Sequence, residues 1–302
     1  MKPLVSVIIP TYKSGDTLCR AIQSVLDQTY DNIEVIIVDD NNPDTPERAS
    51  TEELMSRFQT EPKVHYIKHE FNRNGSAARN TGFRHSSGEY LCFLDDDDYF
   101  LKDKLQLQID YLQSNRQYDA NYCWRIDRGK EVCGKYTGDL TKEILTLEFS
   151  PVTSAIMITS KAYRALNGFD ESYRRHQDFE FMLRFFEKFT ISYIPSIQLI
   201  KDDNGVNNTP KGKKLIDLKK QYFSQFKDKI ESVKKYDSEA YHKIVIRHYV
   251  PVFKDLIRYG YPLLAIKIYF QYGLKMGMPF WRFFFKLCLS GQIERLKKLT
   301  TR

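Results

Sequence analysis

Four apolar runs within the first hundred residues, separated by segments of helical periodicity, constrain the fold of this 302-residue chain most strongly. The runs are LVSVII at 4–9, NIEVIIV at 32–38, KVHYIK at 63–68 and YLCFL at 90–94. Between them, apolar residues recur every three or four positions, which is the spacing of one helix face. This β-α-β-α-β-α-β order predicts an α/β fold of Rossmann type with a mostly parallel central sheet.

Composition and charge divide the chain into two parts. A hydrophobic content of 42% and an aromatic content of 14% are ample for a packed core and exclude a disordered protein. Residues 211–302 carry 21 Lys or Arg and 7 Asp or Glu, a net charge of +14, whereas residues 1–210 have a net charge of −7. The sequence therefore predicts a ligand-binding domain over 1–210, a helical, basic and aromatic C-terminal region over 211–302, and a boundary near 207–214.

Several protein classes are excluded by simple patterns. The opening MKPLVSVIIPTY is too short for a signal peptide, and no run of 18 uncharged apolar residues occurs, so we expect cytosolic residence without a transmembrane helix. Five cysteines without a C-x-x-C pair argue against a disulfide framework or a zinc knuckle. His65 and His69 lie four apart on a predicted strand, about 13 Å from each other, and are rejected as a zinc pair.

Polar residues follow three of the predicted strands. PTY at 10–12, DD at 39–40 and DDDD at 95–98 each come where an apolar run ends. Ligands of open α/β sheets bind at the carboxyl ends of strands, where these segments would converge. A solvated acidic turn is the alternative for an isolated DDDD. Four adjacent carboxylates repel each other unless a cation or a donor-rich partner is present, and the convergence favours a binding site.

The region after residue 100 is less regular. Residues 103–115 have a helical pattern, and the segments 120–127 and 131–138 are compatible with a hairpin. The segment 151–171 predicts a strand followed by a helix, 176–189 predicts a helix with acidic residues in its first turn, and 191–200 predicts a late strand.

Five motifs in this order resemble the family 2 inverting glycosyltransferases with the A-type fold. They are VSVIIPTYKSGDTLCRAIQSVLDQTY, EVIIVDDNN, NRNGSAARNTGF, GEYLCFLDDDDYF and GFDESYRRHQDFEFMLRF, all within residues 4–186. Each motif is weak alone, but the ordered set is specific. The resemblance does not extend in detail to the C-terminal third.

The resemblance implies a nucleotide-sugar site. Asp40, with Asp39 beside it, would accept a hydrogen bond from the uracil ring, and Arg79 would pair with the diphosphate through its fork of donors. If they do not bind the donor, Tyr12 would be a packed turn residue and Arg79 a surface arginine. The residues expected to bind the donor are Pro10, Thr11, Tyr12, Asp40, Asn72, Arg79 and Asp96.

The four aspartates match the family's D-x-D motif. Asp97 would hold Mn²⁺ or Mg²⁺ against the diphosphate, and Asp95 would be a second ligand of the ion or a ribose contact. Asp96 would contact the ribose, and Asp98 would be a surplus member that orients the loop. Hard oxygen ligands suit both ions.

The catalytic base implied by the resemblance is Asp178. It would take the acceptor hydroxyl proton during an in-line displacement. Gln177 stands where many relatives have Glu. Glu180 is the alternative base. If Asp178 is not the base, it would be an acid that complements the dipole at the start of the helix. Further acceptor or secondary contacts would come from Trp124, Arg125 and His176.

Together these observations predict a metal-dependent, inverting, single-addition transferase, since the Q-x-x-R-W signature of processive relatives is missing. The donor would be a UDP-hexose or UDP-N-acetylhexosamine, and the acceptor a lipid-linked glycan of O-antigen or capsule synthesis.

The basic, aromatic C-terminal region predicts peripheral binding to an anionic membrane at the inner face of a bacterial plasma membrane, with an oligomer interface as the alternative. No nucleic-acid-reading module is visible. A protein or wall-polymer acceptor, or a non-catalytic membrane subunit, are the rival functions.

Overall fold

A computed structural model of the protein describes residues 2–173, 175–202 and 210–300, with side chains described up to residue 289. The chain divides into two compact units. The first comprises Met1–Thr141 and Phe149–Gly205, and the second comprises Lys142–Glu148 and Val206–Arg302. The predicted boundary near 207–214 lies partly outside the described residues. The assignment of residues 142–148 to the second unit has no signal in the sequence.

Strands form one sheet in the first unit, and nine are found in the described residues. In chain order they are β1 (Val5–Thr11), β2 (Ile33–Asp39), β3 (Val64–Lys68), β4 (Tyr90–Phe93), β5 (Tyr99–Phe100), β6 (Ala120–Asp127), β7 (Lys130–Val132), β8 (Ile156–Thr159) and β9 (Ile191–Lys201).

Helices alternate with these strands and then make up the C-terminal region. Their bounds are α1 (Thr17–Leu26), α2 (Pro46–Ser56), α3 (Gly75–Arg84), α4 (Lys104–Ser114), α5 (Thr141–Leu145), α6 (Ser160–Ala165), α7 (Gln177–Phe185), α8 (Lys213–Gln225), α9 (Lys227–Tyr236), α10 (Ser238–Arg258), α11 (Pro262–Ile268) and α12 (Met278–Thr300).

The strand order of the sheet is β3-β2-β1-β4-β8-β6-β9-β5, with β7 paired to β6. The half built from β1 to β4 is parallel throughout, which confirms the α/β prediction from the first hundred residues. Its central strands are buried on both sides, as the continuous apolar runs require. The other half is mixed, because β8 runs antiparallel to both β4 and β6 while β9 runs parallel to β6.

Helix α3 packs closely on the parallel half. A Cβ atom at Gly82 would lie 2.3 Å from Cγ2 of Ile8, so the helix approaches β1 at a distance that only glycine permits. This approach brings the first turn of α3 to the carboxyl end of the strands. The loops after β1 and β2 also meet at that edge, where the Asp40 N–H donates to the Thr11 carbonyl over 2.9 Å.

The predicted hairpin after residue 120 forms, but its second strand is shorter than expected. Strand β7 covers only Lys130–Val132, and the turn places Arg128 and Gly129 at positive φ. The predicted strand and helix over 151–171 are confirmed as β8 and α6, and the predicted helix over 176–189 as α7.

The second unit is helical in its described part, as the sequence predicts. Its core gathers around α10, whose buried side chains include Val245, Tyr249, Val250 and Phe253. Residues 142–148 attach to the same unit, since the Arg247 guanidinium donates to the Thr146 carbonyl over 2.8 Å. Among the described helices, none combines the length and apolarity needed to cross a bilayer.

Candidate active site

The loop between β4 and β5 carries a cluster of carboxylates. One oxygen atom from each of Asp95, Asp97 and Asp98 lies within 4.8 Å of the others. The Asp98 N–H donates to the Asp95 carbonyl over 3.0 Å, which closes the loop into a tight turn. Arg20 of α1 donates to the Asp97 carbonyl over 2.9 Å and fixes the loop from outside. Three of the four consecutive aspartates thus face one point at the carboxyl end of β4.

Asp98 is a full member of this cluster and not the surplus residue that the sequence alone suggested. Its side chain is completely buried, and its Oδ2 atom has no hydrogen-bond partner among the described residues. Burial raises the pKa of Asp98 to about 7, with a smaller contribution from the charge of Asp95. A buried carboxylate oxygen without a donor is costly, and a bound cation would relieve that cost.

A lysine at the end of β9 approaches the cluster. Tyr99 pairs with Ile200 across antiparallel strands β5 and β9, so Asp98 and Lys201 are brought opposite each other. The Lys201 ammonium lies 3.5 Å from Asp98 Oδ1. Burial lowers the pKa of Lys201, but Asp95, Asp98 and Asp97 outweigh burial and raise it above its usual value. Sequence analysis missed Lys201, although its place directly after the predicted strand 191–200 was a usable signal.

Arg79 connects α3 to the same cluster. Its Nη2 atom lies 2.5 Å from Asp95 Oδ1, and the guanidinium is buried at 5.6 Å from the ring of Phe169. Burial favours a raised pKa for Asp95, but the charges of Arg79 and Lys201 hold the pKa below its usual value. The Nε and Nη1 atoms of Arg79 are buried and have no hydrogen-bond partner in the described part of the chain. These two donors are suited to the oxygens of an anionic ligand.

The carboxylate cluster has the chemistry of a Mn²⁺ or Mg²⁺ site. It offers few, hard oxygen ligands, and one of these, Asp98 Oδ2, has no hydrogen-bond partner among the described residues. The sequence assigned metal binding to Asp95 and Asp97, and the structure places both in the cluster together with Asp98. The three carboxylates and the two cations Arg79 and Lys201 leave a net charge of −1 at this point, which attracts a divalent ion.

Asp96 faces away from the cluster toward the end of β1. Its Oδ2 atom accepts a hydrogen bond from the Tyr12 N–H over 3.2 Å. Burial raises the pKa of Asp96 to about 6, against hydrogen bonds from Thr11 and Tyr12 that lower it. Tyr12 is 47% exposed, with the Lys13 ammonium 5.3 Å from the centre of its ring, and Pro10 and Thr11 end β1 just before it. The expected nucleoside side of the site is therefore assembled from β1 and Asp96.

Asp40 holds together the loop that precedes α3. Its Oδ1 atom accepts from His69 Nδ1 over 2.7 Å and from the Arg73 N–H over 2.8 Å. Its Oδ2 atom accepts from Asn72 Nδ2 and from the Asn74 N–H, both over 2.9 Å. Each oxygen thus already accepts two hydrogen bonds. A uracil N–H could bind Asp40 only by replacing one of these donors, and Asn72 serves here as a donor to Asp40.

His69 and Asn80 are two further residues that sequence analysis missed. The ring of His69 is buried between Asp40 and Thr81, with Nε2 2.9 Å from Thr81 Oγ1. Asn80 donates to the Phe169 carbonyl over 2.8 Å and accepts from the Phe169 N–H over 2.9 Å. These bonds tie α3 to the loop that leads to α7. His69 could have been found because it follows β3 at the same sheet edge, whereas the partner of Asn80 is 89 positions away.

Asp178, the predicted base, is the second residue of α7. Its Oδ1 atom accepts from the Phe179 N–H over 3.0 Å. Burial raises the pKa of Asp178 to about 6, even though helix N–H groups and the charge of Arg79 act to lower it. The charges of Arg79 and Asp95 both act on the Asp178 carboxyl group. The structure therefore brings Asp178, the predicted base, and Arg79, the predicted diphosphate ligand, into one site. Neighbouring Gln177 is fixed by Ser76, whose hydroxyl donates to Oε1 over 2.8 Å.

Glu180, the alternative base, is committed elsewhere. It is buried and bound through both oxygens by Arg184, at 2.5 and 2.7 Å. Arg184 also donates to the carbonyls of Leu166 and Gly168, so the pair braces the start of α7 against the preceding loop. His176 has positive φ just before the helix, and its ring packs edge-on at 5.3 Å from Phe179.

Trp124 and Arg125, the predicted acceptor contacts, lie on β6. The indole N–H of Trp124 donates to the Gly134 carbonyl over 2.7 Å, within the hairpin. Arg125 is buried, with Nε at 3.6 Å from Asp127 Oδ2. Burial lowers the pKa of Arg125. Both side chains therefore have structural partners on the hairpin.

Comparison with known proteins places this geometry in context. Residues 6–165 match the model of a family described as Glycosyl transferase family 2. Amylovoran biosynthesis glycosyltransferase AmsB of Erwinia amylovora is 30% identical over 190 residues, 59% of this chain and 62% of AmsB. The Escherichia coli protein WfaP, named UDP-Glc:alpha-D-GlcNAc-diphosphoundecaprenol beta-1,3-glucosyltransferase, is 30% identical over 134 residues, 44% of this chain and 51% of WfaP.

These relatives are longer than the matched region. The chain spans 62% of AmsB, 51% of WfaP and between 25% and 64% of three further curated relatives. A solved structure of Staphylococcus aureus TarS 1-349 has a TM-score of 0.61 and 15% identity, covering 87% of this chain and 82% of that one. The same segment in complex with UDP-GlcNAc has a TM-score of 0.59 and 17% identity, covering 82% and 71%. At this identity the likeness shows the shared fold.

Proposed function

This chain belongs to glycosyl transferase family 2, and from that membership we propose that it is a metal-dependent, inverting glycosyltransferase. It moves one sugar at a time from a UDP-linked hexose or N-acetylhexosamine to a hydroxyl group of a lipid-linked glycan. The product belongs to a bacterial surface polysaccharide such as O-antigen or capsule.

One arrangement carries this proposal: Arg79, the carboxylate cluster and Asp178 occupy the same end of the sheet. Arg79 keeps two buried donors for an anion, and the cluster of Asp95, Asp97 and Asp98 keeps an oxygen for a cation. Asp178 has a pKa of about 6, which suits a carboxylate that accepts a proton near neutral pH. A site with all three properties fits a sugar diphosphate donor and a hydroxyl acceptor.

The reaction is a single displacement. The acceptor hydroxyl oxygen forms a bond to the anomeric carbon, and its proton passes to the Asp178 carboxylate. The bond from the anomeric carbon to the diphosphate oxygen breaks, and UDP leaves with the electron pair. Attack from the face opposite to UDP inverts the anomeric centre. Arg79 binds the diphosphate and stabilises the charge that develops on it.

Asp95, Asp97 and Asp98 are the residues that would hold Mn²⁺ or Mg²⁺. The ion supplies Lewis-acid stabilisation of the departing diphosphate when it is bound. Tyr12 stacks on the nucleobase, and Asp96 holds the loop beside it and contacts the ribose. Asp40 shapes this side of the site by fixing residues 69–74.

The relatives support the proposed acceptor and location. WfaP is named for transfer to a diphosphoundecaprenol-linked sugar, and AmsB for amylovoran biosynthesis. An acceptor of this kind is anchored in a membrane. We therefore place the enzyme at the inner face of the plasma membrane as a peripheral protein.

A thermal-shift screen tests donor and metal together. Purified protein is heated with UDP-, GDP-, dTDP- and CMP-sugars, each with Mn²⁺, with Mg²⁺ or with chelator. A ligand that binds only the folded state raises the midpoint by mass action. The expected result is a shift with UDP-sugars that needs the metal and is lost in Asp97→Asn. A shift of equal size in chelator contradicts the metal assignment, and a preference for another nucleotide contradicts the donor assignment.

The acceptor is then tested with the best donor. Transfer is measured to a diphosphate-linked prenyl glycan, to a wall polymer and to an unfolded protein. Transfer to the first alone supports the proposal. Transfer to either of the others identifies a different acceptor class, and donor binding without any transfer favours a non-catalytic subunit.

A further inference from the structure

The second unit exposes large apolar side chains along its last helices. Leu263, Phe270 and Met278 are 82%, 62% and 70% exposed, and Ile266 and Leu274 lie exposed between the first and last of them. Leu263 and Ile266 lie on α11, Phe270 lies on the π-helical turn Tyr269–Gly273, and Leu274 begins the 3-10 turn Leu274–Met276. The four exposed side chains thus follow each other at intervals of three or four residues along consecutive helical turns. Helix α12 continues the pattern at intervals of seven and four residues with exposed Met278, Phe285 and Leu289.

This segment is apolar on its inner side as well. Ala265, Ile268, Met276 and Phe280 are buried in the core around α10. A surface helix normally presents polar residues on the side opposite its core-facing stripe. Here the opposite side is apolar too, and an exposed apolar surface of several turns indicates a partner that covers it.

The charge of the segment is of one sign. Between Asp255 and Glu294 the sequence has no acidic residue and five basic ones. All five are exposed and lie beside the apolar row: Arg258, Lys267, Lys275, Arg282 and Lys286. Basic groups around an exposed apolar row are complementary to an anionic phospholipid surface, where acyl chains meet negative headgroups.

We propose that this row is an interfacial membrane anchor that binds anionic phospholipid. The anchor face is defined by Leu263, Ile266, Phe270, Leu274, Met278, Phe285 and Leu289. Its side chains enter the boundary between headgroups and acyl chains while the five cations contact the headgroups. No described helix could cross the bilayer, so the anchor lies in the plane of the interface. The anchor rests on the proposed function, because it deepens the assignment of a membrane-borne acceptor.

The charge pattern selects a membrane over a second copy of the chain. In a symmetric dimer the same patch meets itself, so the five cations of one copy would face those of the other. The segment contains no acidic side chain to neutralise them. An anionic bilayer supplies both the apolar layer and the opposite charge.

Vesicle flotation tests the anchor on the full chain. Vesicles of phosphatidylcholine alone are compared with vesicles that also contain about 30% phosphatidylglycerol. An anionic share of this order gives the vesicle a strongly negative surface potential. Wild type is expected to float with the anionic vesicles and to bind neutral ones at least about tenfold more weakly. Each cation contributes roughly fivefold near such a surface.

Matched variants test whether vesicle binding depends on this apolar row or on exposed side chains elsewhere on the second unit. Phe270→Ser/Leu274→Ser and Lys267→Glu/Lys275→Glu are each expected to lower binding at least about tenfold, because the two variants remove apolar contact and charge respectively. Tyr236→Ser and Lys235→Glu alter exposed residues of α9 outside the row, and they are expected to bind like wild type. Since every altered side chain is exposed, far-UV circular dichroism and the thermal midpoint should be unchanged.

Three results would overturn the anchor. In the first, wild type fails to bind anionic vesicles. In the second, the row variants bind these vesicles as strongly as wild type does. In the third, wild type is a dimer in lipid-free buffer and Phe270→Ser/Leu274→Ser is a 35.7 kDa monomer. Failure of the enzymatic proposal looks different. Vesicle binding would then persist without a thermal shift by UDP-sugars, whereas loss of the anchor alone leaves that shift intact.

Discussion

The Nη2 atom of Arg79 lies 2.5 Å from Oδ1 of Asp95, while the other two nitrogens of the same guanidinium have no hydrogen-bond partner among the described residues. The carboxylate thus holds the arginine in place without using up its donors. Gly75 makes room for this pose, because a Cβ atom there would lie 3.0 Å from Arg79 Nη1. A donor diphosphate would meet a guanidinium that is already oriented, and orientation in advance lowers the cost of binding.

Replacing Arg79 by Lys should weaken donor binding while the charge is kept. Lysine lacks the planar fork that can bond Asp95 and a diphosphate at once. We expect the Kd for the UDP-sugar, measured by calorimetry with Mn²⁺, to rise at least about tenfold. Arg73→Lys is the control, since Arg73 forms a half-exposed pair with Glu171 and should change the Kd less than about twofold. Equal effects of both changes would contradict the role of Arg79.

Replacing Asp178 by Asn should abolish transfer and spare binding. The amide is similar in size but cannot take the acceptor proton, so kcat should fall by about 10²- to 10⁴-fold while the Kd for UDP stays unchanged. Glu180→Gln is the comparison. It removes a buried charge from the pair with Arg184 and should lower the thermal midpoint while the folded fraction keeps its kcat. Asp178 is not the base if its variant loses UDP binding and turnover to the same extent.

The pH dependence of kcat should report the same carboxyl group. A base with a pKa of about 6 is protonated below that value, so kcat at saturating donor and metal should fall about tenfold per pH unit below pH 6 and be flat above it. Asp96 also has a pKa of about 6, but it lies on the nucleoside side and should affect donor affinity. Asp96→Asn should therefore retain the acid limb of kcat. A profile that stays flat down to pH 5 would be incompatible with Asp178 as base.

The carboxylate cluster should destabilise the metal-free protein. Asp98 has a pKa of about 7 in the folded state against 3.8 as its reference value, so keeping it ionised costs folding free energy that grows as pH rises from about 4 to 7. Asp98→Asn should raise the free energy of unfolding by about 1–3 kcal/mol at pH 8 and by almost nothing at pH 4. Denaturant titration in chelator at both values measures this.

The same variant should lose its response to metal. Mn²⁺ is expected to raise the midpoint of wild type and to have a much smaller effect on Asp98→Asn, because one carboxylate ligand is missing. Asp16→Asn, at an exposed aspartate whose side chain makes no capping bond, serves as the control. A gain in stability that is equal at pH 4 and pH 8 would contradict the electrostatic explanation.

His69 should contribute to stability through Asp40. Replacement by Ala removes one of the four donors to the buried Asp40 carboxylate and also the partner of Thr81, so we expect a loss of about 1–3 kcal/mol in the free energy of unfolding. His65→Ala is a matched control, because His65 lies exposed on β3 and should change the value by less than about 0.5 kcal/mol. Equal losses for the two variants would show that the hydrogen bonds of His69 to Asp40 and Thr81 do not stabilise the fold.

Much of the fold could be read from local patterns. Strands β1 to β4 and the helices between them were predicted because apolar periodicity is a short-range property, and because parallel strands need crossover helices. The second half of the sheet was not predicted in detail. The antiparallel insertion of β8 between β4 and β6 pairs segments tens of residues apart, and no local signal encodes that pairing.

The sequence by itself determined which residue types reach the site: a strand-end tyrosine, an arginine in α3, four aspartates after β4 and an acid at the start of α7. The convergence of the tyrosine, the arginine and the aspartates follows from strand direction, since parallel strands end at one edge. The acid of α7 joins them through long-range contacts such as those between Asn80 and Phe169. The tertiary structure decided which of them act together. Asp96 and Asp98 are neighbours of the same type, yet one bonds the Tyr12 backbone and the other is buried in the cluster.

The partners of these side chains depend on pairings across long stretches of chain. Lys201 meets Asp98 because of the register between β5 and β9, and His69 meets Asp40 because β2 and β3 end side by side. Local sequence specifies an element and its faces, since these depend on a few neighbouring residues. Register and side-chain partners depend on the packing of the whole sheet. Only the folded chain could therefore assign Asp98 to the cluster as its third aspartate, with Lys201 beside it.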